Sequence, residues 1–179
     1  MTNVQLELAT ADRAQVITNL WPLYQHDVSA FERTAPNQHG IFNSDEGVVS
    51  LDEHANSLGP WWNDPESLFP YLIEVDGAPA GFNFVAARDR LPSGIDADFV
   101  VHEFFVLHAY RGTEVAERAA IAGFERHSGS WEIVTWVDNV RAIAFWRRAI
   151  GTFTAQRFSE DTAIDHPWGP RVRFRFDTA

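Results

Sequence analysis

The chain has 179 residues, a length that favours one domain, residues 1–179, over two. Apolar residues make up 45%, aromatics 13% and charged residues 22%, enough for a sizeable core, and this excludes wholesale disorder. Fourteen Lys plus Arg against 25 Asp plus Glu leave a net charge of −11 and a pI near 4.9, a balance that opposes nucleic-acid phosphates and anionic membranes as partners.

In chain order, Val4 to Leu8 alternates apolar and polar side chains, as a half-buried strand does, and Thr10 or Asp12 can cap a following helix. That helix is expected from about Ala11 to Ala30, with Pro22 kinking it or splitting it in two. Pro36 to Pro65 mixes Pro, Gly, Asn, Asp and Ser with short apolar clusters and reads as an irregular arm, whose Trp61 and Trp62 need a surface to cover. Phe69 to Val75 and Ala80 to Ala87 suit two strands joined at Asp76-Gly77, since glycine tolerates the positive φ of a tight turn. Asp98 to Leu107 is apolar on both alternating faces and is expected to be a central strand buried on both sides.

The period changes over Gly112 to His127. At 100° per residue Val115, Ala116, Ala119, Ala120, Ala122, Gly123 and Phe124 share one broad face, opposite Glu114, Glu117, Arg118 and Glu125, and Ile121 is the apolar exception on the polar side. Trp131 to Val137 reads as a strand, and Asp138 or Asn139 caps a helix to about Ile150. Thr152 to Phe158 and Arg171 to Phe176 read as closing strands around a loop with Pro167 and Gly169. Cysteine is absent, which removes disulfides, thiolate zinc sites and cysteine nucleophiles. Met1 to Ala9 lacks a charged segment followed by an apolar core, and no stretch approaches the ~18 apolar residues of a bilayer span, so a soluble, cytoplasmic protein is expected.

A helix that starts just after a tight turn leaves its first amides unpaired, and together with the positive end of the macrodipole these attract a pyrophosphate. Arg111 can add a charge-assisted contact, and small residues at Gly112 and Ala116 let a ligand approach the backbone. The strand to Leu107, the Tyr110-Arg111-Gly112 turn, the small-residue helix, the strand to Val137, Asn139, Ala142 and Phe145-Trp146 together resemble the GNAT superfamily of N-acetyltransferases, over about Phe69 to Phe158. That family binds acetyl-CoA at a turn patterned Gln/Arg-x-x-Gly-x-Gly/Ala. The pattern falls here on Arg111, Gly112, Thr113, Glu114, Val115 and Ala116, and Arg111 and Ala116 agree with it. The resemblance implies an α/β (α+β) domain with a mixed, mostly antiparallel sheet flanked by helices on both faces. It also implies acetyl-CoA as cosubstrate and direct acetyl transfer to a primary amine of a small molecule or peptide. The pantetheine arm is assigned to Phe105, Val106 and Leu107 between splayed strands, with the Val106 N–H polarising the thioester carbonyl and Asn139 contacting the arm. A second copy of the chain is a candidate partner.

Two positions depart from the family. Glu114 stands where glycine is expected, so its carboxylate either points outward to Arg118 or occupies the diphosphate site, and the latter would make the chain a degenerate, non-catalytic binding or regulatory protein. Trp146 stands where many members carry the Tyr that protonates the departing thiolate, a role indole cannot fill. Glu103 alternates onto a strand face with Phe99, Val101, Phe105 and Leu107, where burial favours a raised pKa, and is the first candidate general base; His102, on the opposite face, is the alternative. Trp21, Tyr24, Phe31, Trp61, Trp62 and Trp168 with Asp45, Glu46, Asp52 and Glu53 suggest an acceptor site for a cationic amine. Seven His without HxxxH or HxH spacing make a dedicated metal site an unfavoured reading, Ser128-Gly129-Ser130 reads as a turn, and no GxGxxG or P-loop pattern occurs.

Overall fold

Strand β1 (Val4–Leu8) forms one edge of a seven-stranded sheet that continues through β2 (Leu68–Val75), β3 (Ala78–Ala87), β4 (Phe99–Val106), β5 (Ser130–Trp136) and β7 (Arg171–Asp177) to β6 (Ser159–Ala163) at the other edge. The computed structural model describes residues 2–42 and 47–178. Neighbouring strands are antiparallel except β4 and β5, so the mixed, mostly antiparallel sheet expected from the sequence is present. The β2–β3 turn forms at Asp76-Gly77, with φ of 51° and 81°, the left-handed pair that a two-residue hairpin requires.

Helix α1 (Ala14–Glu32) follows a single 3₁₀ turn at Ala11–Arg13 and runs through Pro22 as one helix, so of the two expected outcomes the split into successive helices does not occur. Proline inside a helix costs about 3 kcal/mol. Ile17, Trp21, Tyr24 and Val28 recur on one face, buried in a cluster with Phe82, Phe84 and Phe105. At about 1.5–3 kcal/mol for each fully buried large side chain, that stripe outweighs the proline. The arm is less irregular than its composition suggests, for it contains α2 (Leu51–Ala55) and α3 (Pro60–Asn63). Ser50 Oγ accepts from the Glu53 N–H at 3.2 Å while Glu53 Oε2 accepts from the Val49 N–H at 2.9 Å. Trp61 packs on Phe84 with ring centroids 4.4 Å apart, and the Trp62 indole N–H donates to the Ala9 carbonyl at 2.8 Å.

Helices α4 (Val115–Phe124) and α5 (Val140–Thr154) cover the other face, over Phe124, Trp131, Ile133, Trp146, Ile150 and Phe174. The first is shorter than the expected Gly112–His127, because Gly112 belongs to the preceding turn with φ of 75°. Its Ile121 is half-buried rather than facing open solvent. The strand expected over Thr152 to Phe158 is absent. Helix α5 extends past Ile150 to Thr154, since Phe153 prolongs the stripe of Trp146, Ala149 and Ile150 and packs on Phe124 at 5.3 Å. Ala155, with φ of 51°, ends it, and the strand forms instead as the mostly polar edge β6.

The sheet is divided in the middle. Strands β4 and β5 pair only at Phe99 with Trp131 and Val100 with Glu132. This closed end is clamped by Asp98, whose N–H donates to the Ser130 carbonyl at 2.9 Å and whose Oδ2 accepts from the Ser130 N–H and hydroxyl, both at 2.8 Å. Those two bonds, joined by Arg88, hold the Asp98 carboxyl below the usual aspartate value. A carboxyl depressed in the fold stabilises it above the unfolded value, and that contribution is lost as pH falls through the lower folded value. Asp98→Ala is therefore expected to lower Tm at pH 7, with the gap from the parent closing as thermal scans move below about pH 4, near the unfolded aspartate value. On the other side of β4, a Cβ at Gly81 would lie 2.0 Å from the Phe105 carbonyl oxygen and 2.9 Å from the Val106 Cα. Neither atom belongs to a side chain that can yield. Gly81→Ala should cost at least ~2 kcal/mol in urea unfolding, as overpacking does, and more than Gly123→Ala, whose added Cβ meets only the Asn83 amide and Leu6 side chains.

Candidate active site

The divergence of β4 from β5 exposes backbone. Leu107 donates to the Ala80 carbonyl at 2.8 Å, and hydrogen-bonded and non-bonded pairs alternate along an antiparallel ladder. The Val106–Gly81 pair is then the non-bonded kind, and the Val106 N–H and C=O turn away from β3 into the opening. The carbonyl is occupied, accepting from Arg111 Nε at 2.8 Å; the N–H faces the space between the strands. Phe105, on the alternate position, turns its side chain into the α1-side cluster together with Leu107.

One irregularity reverses an expectation. Phe84 opposes Glu103 but Val85 opposes Val101, so His102 is an extra residue, a bulge in β4. Before it Phe99 and Val101 pack under α4 and α5; after it Phe104 and Val106 take that face while Phe105 and Leu107 turn to α1. Glu103 accordingly does not share a face with Phe99 and Val101, and His102 does not lie opposite it. Both project to the α1 side, with His102 Nδ1 and Glu103 Oε1 3.3 Å apart. Glu103 Oε2 also accepts a hydrogen bond from the Tyr24 hydroxyl. Burial, with the Glu103 charge second, pushes the Tyr24 phenol well above its usual value, so Tyr24 remains a donor to that carboxylate. The His102 ring is contacted edgewise by Trp61 at 5.3 Å and Trp168 at 5.4 Å, and the Glu103 side chain keeps 21% exposure, enough for a ligand to reach it.

On the opposite face lies the start of α4. Gly112 makes the turn, the Thr113 hydroxyl donates to the Tyr110 carbonyl at 2.6 Å and accepts from the Val115 N–H at 3.3 Å, and the first helical bond runs from Arg118 to the Glu114 carbonyl. The amides of Ala116 and Glu117 precede that bond and have no intrahelical acceptor. Glu114 points outward to Arg118 at 3.3 Å, with 61% of its side chain exposed. Arg111 turns to α1: its guanidinium is paired with Asp27 and stands 5.5 Å over the Phe105 ring. Asn139 caps α5, its Oδ1 accepting from the Ala142 N–H at 3.1 Å. Trp146 is buried against Phe104 at 5.1 Å, a wedge beneath the split. Arg147 pairs with Glu160 and Arg148 with Glu117 on the exposed face of α5.

The acceptor-side aromatics are brought together only in part. Tyr24, Trp61 and Trp168 meet at His102 and Glu103; Trp21 and Trp62 are structural; Phe31 stacks on Trp136 at 5.8 Å, further along α1. Asp52 is exposed, Glu53 is committed to its helix cap, and Asp45 and Glu46 lie outside the described residues. Sequence reasoning missed a buried trio behind Trp168: Glu132 Oε1 accepts from His166 Nε2 at 3.0 Å and Oε2 from Arg175 Nε at 2.7 Å, with both Glu132 and His166 side chains 1% exposed. A histidine in a Pro/Gly loop two residues before a tryptophan was its sole sequence signal. Among the described residues no three His, Asp or Glu gather as a metal site. A cleft of about 390 Å³ between the ends of α4, α5 and β7, at Phe124, Phe153, Arg157 and Asp177, sits at the closed end, away from these groups.

No protein-family model matches the sequence, and no curated protein matches it. Solved structures do. An acetyltransferase of Thermus thermophilus aligns with a TM-score of 0.64 at 14% identity, over 98% of this chain and 97% of that one. The aminoglycoside acetyltransferase AAC(6')-Ib in complex with coenzyme A and kanamycin aligns at 0.65 and 15% identity, over 98% and 95%. RimJ of Mycobacterium smegmatis in complex with CoA-disulfide aligns at 0.61 and 14% identity, over 98% and 82%. The likeness is one of architecture along nearly the whole chain, and with the split central strands it means that this chain has the GNAT acetyltransferase fold.

Proposed function

We propose that the chain is an acetyl-CoA-dependent N-acetyltransferase that acylates a primary amine of a small molecule or peptide by direct attack. The observation that carries this reading is the Val106 N–H turned into the gap between β4 and β5, with an α4 N-terminus on one side of the sheet and a held carboxylate on the other. Acetyl-CoA supplies the activated acyl group. The Gly112 turn and the amides of Ala116 and Glu117, which precede the first helical bond, offer donors to its diphosphate, helped by the positive end of α4. Backbone at Phe105 to Leu107 receives the pantetheine arm, the Asn139 amide nitrogen adds a donor, and Trp146 closes the floor. The neighbours in complex with coenzyme A and with CoA-disulfide support a ligand of that kind.

Chemistry then needs a neutral amine, a polarised carbonyl and a proton for sulfur. The Val106 amide polarises the carbonyl oxygen, a contribution that grows as negative charge develops there. Glu103, directly or through one water, takes a proton from the incoming ammonium; Tyr24 holds its carboxylate in place and His102 stands beside it. As the C–N bond forms and the C–S bond breaks, the second proton leaving the amine nitrogen goes to sulfur. This route asks nothing of Trp146, whose indole cannot serve as an acid.

Glu103→Gln is expected to lower kcat/KM by 10²- to 10⁴-fold, the usual range for a positioned base, while calorimetry gives acetyl-CoA the same Kd within about threefold, as for loss of a proton acceptor that is not a cofactor contact. Equal kcat/KM would remove Glu103 from the mechanism, and absence of acetyl-CoA binding at millimolar concentration would reject the transferase. Because Glu114 is outward and paired, Glu114→Gly should change that Kd less than about threefold, the scale of one exposed helix pair. A tenfold gain would mean instead that its charge reaches the diphosphate.

A further inference from the structure

We propose that the acceptor is a zwitterion: its amine meets Glu103 while a carboxylate several bonds away pairs with Arg171. This rests on the acetyltransferase reading and narrows it. All fourteen basic residues of the chain are arginines. Ten of them reach a carboxylate within 4.0 Å among the described residues, leaving Arg126, Arg141, Arg157 and Arg171. The first three are exposed. Arg171 alone is half-buried, standing over the Trp136 ring at 4.9 Å with its Nη1 on the Pro170 carbonyl at 3.0 Å. Burial lowers its pKa and the more distant Glu32 offsets part of that shift. A desolvated guanidinium without a contacting carboxylate is a cost to the fold, and in a chain carrying 25 acids no Asp or Glu among the described residues lies within 4.0 Å of it.

Position ties this cation to the reaction centre. Arg171 opposes Trp136 across β5 and β7, and Trp136 stacks on Phe31 at 19°. Phe31 lies seven residues beyond Tyr24 on the same stripe of α1, about 10 Å along the helix axis, so the Trp136 platform lies further along the helix that also carries the Tyr24 hydroxyl on Glu103. The strand-entry segment links them a second time, because Trp168, three residues before Arg171, reaches His102. The α1 side of the sheet thus carries a carboxylate at Glu103, a guanidinium at Arg171 and the aromatic faces of Phe31 and Trp136 beside it. That polarity suits an amine with a distal carboxylate and disfavours a polycation. A planar guanidinium braced on an indole leaves edge donors for a two-point carboxylate contact.

The test uses amines of matched length: 6-aminohexanoate, hexylamine and 1,6-diaminohexane. With no cysteine in the chain, every thiol released is coenzyme A, and with no lysine, ε-amine self-acetylation cannot contribute. The parent should show kcat/KM for 6-aminohexanoate at least tenfold above hexylamine and further above the diamine. Arg171→Gln should bring the first ratio to about one, and Arg171→Lys should restore part of it. A parent that prefers the diamine, or a ratio unmoved by Arg171→Gln, overturns the proposal while leaving acetyl transfer standing. Calorimetry with coenzyme A present reads the same preference without turnover. Tenfold weaker 6-aminohexanoate binding in Arg171→Gln supports the site even if no acetyl group moves, and equal binding overturns it.

Discussion

The structure depends on the place where two parallel strands stop pairing. Two register pairs, Phe99 with Trp131 and Val100 with Glu132, and the reciprocal Asp98–Ser130 bonds hold β4 to β5 at one end. Beyond them each strand keeps its outer partner, β3 or β7, and loses the inner one. Unpaired backbone inside a sheet is costly unless something satisfies it. One acceptor in the gap, the Val106 carbonyl, is satisfied by Arg111, while the Val106 N–H faces the space between the strands.

The bulge at His102 is the second consequence of the same strand. By inserting one residue it rotates the chain between Val101 and Phe104, so that apolar side chains continue under α4 and α5 on one face while two polar ones, His102 and Glu103, emerge together on the other. Period-two reasoning cannot see this. The alternation of Phe99, Val101, Glu103 and Phe105 reads as one face, and only the pairing partner Phe84 to Val85 reveals the extra residue. For the same reason Tyr24 was legible as an aromatic of α1 but not as the group that holds Glu103, seventy-nine positions away. What local chemistry dictates was readable: positive φ at Asp76-Gly77, the Asn139 cap, and the small face of α4 that lets Gly123 lie against Asn83. Helix ends and the polar edge strand β6 were not, because Phe153 extends an apolar stripe and Ser159 to Ala163 carries almost none.

The trio of Glu132, His166 and Arg175 explains how a loop rich in proline and glycine can present Trp168 at a fixed place. The Trp168 N–H donates to His166 Nδ1 at 3.1 Å, so the ring proton sits on Nε2 and is directed to Glu132. A buried carboxylate is expensive, and here it is compensated by two donors, Nε2 of His166 and Nε of Arg175. Glu132 is also the residue opposite Val100 at the last β4–β5 pair. The same side chain that marks the end of pairing therefore anchors the loop that walls the opening beyond it.

Charge is arranged locally rather than globally. A chain at −11 repels anions at long range, yet that field is screened over about 8–10 Å at physiological salt. Close in, the cations that α4 and α5 offer are mostly spent on acids: Arg118 on Glu114, Arg147 on Glu160 and Arg148 on Glu117. The remaining positive potential near the turn comes from backbone amides, which carry no counter-charge to neutralise them and cannot be screened once a ligand excludes water. Pairing of these arginines thus leaves the oriented peptide dipoles of one helical turn as the fixed positive charge at the start of α4.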